Sequence, residues 1–212
     1  MTGFALSGMT SSGKTTWIQN LLKIKDQIFT EPPAKIILFY KVIQDLYLEM
    51  ERQGLVDELV NVNENPPTLD SIHAMVHKFK DNGGSLLIFD DTMSVINDDF
   101  ENLFCNLSHH ENSSIIFLTQ NLFYQNAVFR TMSLNCHYLI LMKNDRDKQQ
   151  VSILAKQFSP HNVNFITKAY FDATQKAYSY LIIDFKADTP GKVRIRSRIF
   201  PHQFPCTVYI EN

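Results

Sequence analysis

Gly8-Met9-Thr10-Ser11-Ser12-Gly13-Lys14-Thr15 sets two glycines either side of four residues and follows the second with Lys and Thr. Its flanks decide how it is read. Upstream, Gly3-Phe4-Ala5-Leu6-Ser7 is an apolar run of strand length, and downstream Thr16 to Ile24 places apolar residues at helical spacing. Strand, glycine loop and helix in that order form a phosphate-binding loop.

The residue types follow from the task. Glycines let the backbone curl until consecutive N–H groups face a phosphate chain, and the positive end of the helix that begins near Lys14 adds to the attraction. The Lys14 ammonium reaches the terminal phosphates and the Thr15 hydroxyl is placed to ligate Mg²⁺. Gly8, Met9, Thr10, Ser11, Ser12, Gly13, Lys14, Thr15 and Thr16 are the candidate nucleotide-binding residues.

Outward from the loop, Lys35–Tyr40, Ser85–Phe89, Ser114–Thr119 and His137–Met142 read as further buried parallel strands. Helical patterns lie around Ile43–Gln53, Leu69–Lys80, Asp98–His109 and Arg146–Phe158. This alternation predicts an α/β fold with a mainly parallel sheet and helices on both faces. Tyr178–Phe185 and Val193–Phe200, joined by the turn-like Asp188-Thr189-Pro190-Gly191, predict a C-terminal antiparallel hairpin extending the sheet.

A loop that binds phosphate still needs groups to hold metal and direct water. The strand Leu86–Phe89 ends in Asp90-Asp91. A carboxylate at the C-terminal end of a strand beside the loop suits Mg²⁺, which makes Asp90 the metal-side residue. Asp91 is the candidate to polarise or deprotonate the attacking water. The next strand ends in Gln120, a neutral amide able to sense a γ-phosphate without adding charge. Arg130 and Arg146 are the two candidates for transition-state charge neutralisation, either one reaching a neighbouring subunit's nucleotide.

Composition bounds the rest. At 212 residues, 44% hydrophobic and 20% charged, the chain suits one domain spanning 1–212, with a core over about 3–185 and an extension over about 178–212. Cys105, Cys136 and Cys206 lack metal-site spacing and read as small buried hydrophobes in a reducing compartment. No apolar run reaches the length of a membrane helix and no signal-peptide layout opens the chain, so a soluble intracellular protein is expected. The formal charge of −2 is silent on nucleic acid, which would have to be met by a local patch. One candidate is Lys192, Arg194, Arg196 and Arg198, which on a strand would share one face and either track a phosphate backbone, meet an acidic partner or guard an edge.

Elimination narrows the nucleotide chemistry. Asp90 is followed by Asp91-Thr92-Met93 rather than the Asp-x-x-Gly of a GTPase, and Lys143-Asn144-Asp145 has the wrong order for guanine recognition. No arginine-rich lid of a small-molecule kinase is present. A phosphotransferase and a nucleotide-gated scaffold without catalysis remain the alternatives to a hydrolase.

GMTSSGKTT (8 to 16), LLIFDD (86 to 91), FLTQN (117 to 121), the following Phe129-Arg130 and HYLILMKN (137 to 144) together resemble the genome-packaging ATPases of double-stranded DNA viruses and virus-like transposons, the poxvirus, adenovirus and Polinton-like members of the FtsK–HerA group. The resemblance implies a P-loop NTPase of the ASCE type, which has an additional strand and a catalytic acid. Its five core strands, counted along the chain, would lie in the order 5-1-4-3-2. It also implies ATP and Mg²⁺ as cofactors, double-stranded DNA and a capsid or portal protein as partners, and a homo-oligomeric ring of five or six subunits acting in the host cytoplasm or nucleus, with the virion as a further location. Carried over by position, Lys14 and Thr15 bind phosphate and metal, Asp90 holds the metal, Asp91 is the catalytic acid position, Gln120 the sensor and Arg130 the trans-acting finger. Cellular members usually have Glu where this chain has Asp91.

Overall fold

The computed structural model describes residues 3–64, 66–92, 111–120, 136–144 and 149–211. The five anticipated core strands are β1 (Gly3–Ser7), β2 (Lys35–Tyr40), β4 (Ser85–Asp90), β5 (Ser113–Thr119) and β6 (Tyr138–Met142). They lie side by side as β2-β4-β5-β1-β6, all parallel, which is the expected core order. The sheet is larger than anticipated, with nine strands among the described residues. A short β3 (Glu58–Asn61) adds parallel to the β2 edge, and β7 (Tyr180–Asp184), β8 (Ile195–Ser197) and β9 (Thr207–Val208) add antiparallel beyond β6.

Side-chain alternation along these strands builds two cores. Phe4, Leu6, Leu38, Ile88 and Leu118 face α1 (Lys14–Lys23) and α3 (Asp45–Arg52), which contribute Trp17, Ile18, Leu21, Leu22, Tyr47 and Met50. Ala5, Phe39, Phe89, Phe117 and Leu139 face the other way. They meet α4 (Leu69–Val76), α5 (Gln149–Phe158) and α6 (Val163–Ala173) through Ile72, Val76, Val151, Ala155, Ile166 and Tyr170. Phe39, Phe89 and Phe117 stack in a row across β2, β4 and β5, with centroids 4.6 and 5.2 Å apart. A remaining short helix, α2 (Lys25–Ile28), follows α1.

Four elements depart from expectation. The sequence reading has no counterpart of β3, β9, α2 or α6. The helix pattern at Asp98–His109 lies outside the described residues, as does Cys105. Cys136 is buried and its thiol is pushed up to about 12 by burial, as a small core residue should be, whereas Cys206 is exposed and donates to the Ser197 carbonyl at 3.3 Å. Its neighbours after Phe204 leave it on the surface, so it is not the core residue anticipated.

The line of four cations also does not form. β8 holds only Ile195–Ser197; Gly191–Val193 is a 3-10 turn and Arg198 has φ of 60°, so the period-two argument fails at both ends. Arg194 and Arg196 turn toward the chain instead, while Arg198 stays exposed. Arg196 Nη2 lies 2.7 Å from Asp184 Oδ2, whose side chain is 1% exposed, and Arg194 donates to the backbone carbonyls of Asp184 and Ala187. Removing Arg196 would strand a buried carboxylate. Arg196→Gln should therefore cost about 3 kcal/mol of unfolding free energy, the low end for breaking a buried pair because Arg196 is itself partly exposed. Lys192→Ala, on an exposed residue, should shift the urea midpoint within error; equal effects of the two changes would contradict this pairing.

Candidate functional site

The strand order brings the C-terminal ends of β1, β4 and β5 together. β5 lies between β4 and β1, with Asp90 in register with Leu118 and Ser7 with Thr119. Gly8 N then donates to the Thr119 carbonyl at 3.1 Å, which ties the start of the loop to the strand that ends in Gln120. These ends surround a cleft of about 460 Å³ lined by Thr10, Ser11, Gly13, Lys14, Thr15 and Thr16, by Asp90, Asp91 and Gln120, and by Gln44 and Tyr178.

The loop's glycines are needed for shape. Gly13 caps α1 with φ of 95°, a left-handed conformation that L side chains rarely adopt. A Cβ on Gly8 would come within 2.6 Å of both Met142 Cβ and Ser12 Oγ, so the chain passes β6 and folds over itself only as glycine. No side chain caps α1 and no acidic residue stands in its first turn. Its first amides thus face the cleft with the helix's positive end unscreened, which is the chemistry of an anion site. Lys14 Nζ donates to the carbonyls of Gly8 (2.6 Å) and Met9 (2.9 Å), which uses two of its three protons and anchors the ammonium at the loop.

Asp90 is the electrostatic centre. It is 6% exposed, and its Oδ2 accepts from Thr15 Oγ1 at 3.1 Å and from Tyr47 OH at 2.6 Å. Gln44 Nε2 in turn donates to Tyr47 OH at 2.8 Å. Burial pushes the Asp90 carboxyl above its ordinary value, and the opposing effects of the Tyr47 bond, the Lys14 charge and the Thr15 bond do not fully offset it. Burial likewise lowers the Lys14 ammonium below the usual lysine range, against the pull of Asp90 and Asp91. Tyr47 is driven far up by burial and by the Asp90 charge, so it stays a neutral phenol and a hydrogen-bond donor.

The rest of the predicted set is divided. Asp91 leaves β4 with φ of 54°, exposed, and accepts a long bond of 3.4 Å from Gln120 Nε2. The amide and the carboxylate therefore stand together in the cleft that Lys14 also lines. Gly8, Met9 and Ser12 shape the loop from behind without lining the cleft. Arg130 and Arg146 lie outside the described residues. Tyr47, Gln44 and Tyr178 went unrecognised as site residues: Tyr47 reaches Asp90 from α3 across 43 positions, and Tyr178 packs its ring against Gly13 from the far end of the chain. No spacing rule connects such pairs.

The oxygen donors Thr15 and Asp90, adjacent and facing the phosphate loop, fit a hard Mg²⁺ ion. No family model and no curated protein matches the sequence. Among solved structures, the genome-packaging NTPase B204 of Sulfolobus turreted icosahedral virus 2, in complex with ATPγS, aligns with a TM-score of 0.56 at 15% identity, over 92% of this chain and 95% of that one. The two share a fold. EccC of Thermomonospora curvata (ATPases 2 and 3, with a signal sequence peptide) aligns with a TM-score of 0.46 at 13% identity, over 69% of this chain and 30% of that one. The architecture is that of a P-loop NTPase. No helix among the described residues is long and apolar enough to cross a membrane.

Because the folded pKa of Asp90 lies above its unfolded value, the ionised carboxylate costs folding free energy above that folded pKa and nothing below the unfolded one. Stability from this group falls as pH rises between the two. Asp90→Asn is therefore expected to raise the melting temperature of the nucleotide-free protein at pH 7, by an amount that narrows as pH is lowered into the carboxylate range, while weakening Mg²⁺-dependent nucleotide binding at least tenfold. A calorimetric melt showing the variant less stable at pH 7 would refute the burial argument.

Proposed function

We propose that the protein is an Mg²⁺-dependent ATPase that translocates double-stranded DNA, packaging a viral or virus-like genome into a capsid. The observation that carries the hydrolytic part is the contact of Asp91 with Gln120 in the cleft that Lys14, Thr15 and Asp90 also line. A kinase needs to exclude water from its phosphates, whereas here an exposed carboxylate and an exposed amide can meet water.

In this reading the α1 amides and Lys14 bind the β- and γ-phosphates and Thr15 with Asp90 holds the metal, Asp90 through water. Bound Mg²⁺ supplies charge neutralisation at the phosphate oxygens. Tyr47 keeps Asp90 in one orientation by donating to Oδ2, and Thr15 approaches the same oxygen. Asp91 accepts a proton from, or polarises, the attacking water, and Gln120 donates to it or to the γ-phosphate. An arginine from a neighbouring subunit, with Arg130 the first candidate and Arg146 the second, completes the charge balance in a ring of five or six chains.

The DNA and packaging parts rest on the shared fold with a packaging NTPase and on the ordered motifs at 8–16, 86–91 and 117–121. With Arg194 and Arg196 engaged by Asp184 and its neighbours, the C-terminal segment presents no continuous cation line, and contact with DNA falls to surfaces assembled by the ring. The capsid or portal protein would meet the same assembly.

ATP turnover measured with and without duplex DNA, alongside a mass measurement in nucleotide, tests the proposal. Duplex DNA should stimulate turnover, the mass should report a closed ring, and Lys14→Ala and Asp91→Asn should each reduce the rate by about 10²-fold or more. Phosphate transfer to a nucleoside without DNA would point to a phosphotransferase. Partner binding that persists unchanged in Asp91→Asn and Gln120→Ala, with no turnover in the parent, would point to a scaffold.

A further inference from the structure

At the opposite end of the sheet, the described residues gather a second set of ligating groups. His73 lies on α4, and His77 follows four residues later in the 3-10 turn His77–Phe79 that continues it, so both imidazoles leave one face. Glu111 stands two residues before β5. Its side chain is 6% exposed while the imidazoles are 50% and 61% exposed. Glu111 Oε1 is 3.0 Å from His73 Nε2 and Oε2 is 2.9 Å from His77 Nδ1. The two rings stack at 4.8 Å, and the ligating atoms of all three residues lie within 4.8 Å of one another. Burial would raise the Glu111 carboxyl, but the His77 hydrogen bond and the charges of His73 and His77 overcome it and hold the group below its ordinary value.

The geometry points to a Zn²⁺ site formed by His73, His77 and Glu111. Two imidazoles and one carboxylate are a donor set that favours Zn²⁺ over Mg²⁺, and two histidines four apart on a helix present their nitrogens to a common point. Tetrahedral zinc with bonds of about 2.0–2.1 Å needs ligand atoms about 3.3–3.4 Å apart. The present N–O separations are only a few tenths of an ångström shorter, and the two exposed rings can turn to meet that spacing. A metal ion would take the position now held by the hydrogen between each ring nitrogen and Glu111, with the ring's hydrogen on its other nitrogen. The exposed side leaves the fourth position to water.

The site is distinct from the nucleotide cleft. β5 runs seven residues from this end to Thr119, a separation on the order of 20 Å. Bound zinc would cross-link the end of α4 to the start of β5, the strand whose other end delivers Gln120.

Zinc binding to the full chain, stripped with chelator and titrated by calorimetry in excess Mg²⁺, tests this. One ion per chain is expected, with a rise in melting temperature on zinc addition. His77→Ala and His73→Ala should weaken binding by at least the roughly 10–100-fold that loss of even an outer partner costs. His73→Gln and His77→Asn keep a hydrogen bond to Glu111 without ligating zinc, so they should fold like the parent and lose the zinc-induced shift. Co²⁺ substitution should give weak visible bands and no thiolate charge-transfer band. Absence of zinc binding by the parent, a zinc-induced shift retained in these amide variants, or a thiolate band would each overturn the assignment.

Discussion

A buried negative charge at the end of β4 is the constraint on which the site depends. Asp90 sits in a low-dielectric position where an unpaired carboxylate is untenable, so its surroundings must supply donors and positive charge. They come from three directions: Thr15 on α1, Tyr47 on α3 and the Lys14 ammonium at the loop. Each of these helices is itself fixed by apolar burial against the same sheet face. The polar centre is therefore oriented by hydrophobic packing, and rearranging it would require undocking a helix.

That compensation is incomplete, and the incompleteness is chemically useful. Asp90 is held above its ordinary pKa and Lys14 below its own, so each charged group is under-solvated. An incoming phosphate chain with its metal would relieve both, since the metal meets the carboxylate and the phosphate meets the ammonium. Such a site stores affinity for a ligand of alternating charge, at the expense of the stability of the nucleotide-free protein.

The sequence makes the core legible where local chemistry is sufficient. The loop, five strands buried on both faces and the Asp90-Asp91 and Gln120 strand ends are all apparent from apolar runs and the residues that terminate them. The missed elements are ones that local pattern underdetermines. β3 is four residues, Glu58–Asn61, on an edge, held by Asp57 accepting from Ile36 N at 2.6 Å, a tertiary contact with no local signature. α6 does carry a signal, apolar Val163, Ile166, Ala169 and Tyr170 after the breaker Ser159-Pro160, but that spacing is weaker than the strand pattern that follows. The cation line fails for a physical reason. Period-two alternation places Arg196 on a face, but the buried Asp184, two residues along β7 from its register partner Ile182, decides what that face must contain. Tyr47 is the clearest limit, because a tyrosine at helical spacing reads as core and is core, and its hydroxyl's task emerges only when β4 is laid against it.

β5 connects these observations. Inserted between β4 and β1, it separates the metal-side strand from the loop strand by one strand width, about 4.8 Å on each side. That arrangement brings Gln120, past the end of β5, beside Asp91, past the end of β4, in the cleft that Lys14 and Thr15 also line. Any displacement of β5 along its axis would move Gln120 against Asp91, whose shared bond is already long at 3.4 Å. The register of β5 is fixed by parallel ladders on both sides up to Thr119, and Gln120, one residue beyond the strand, stands exposed as Asp91 does. Asp91, with φ of 54°, and Gln120 each lie one residue beyond a strand of fixed register, so a change in either turn alters the 3.4 Å contact between them.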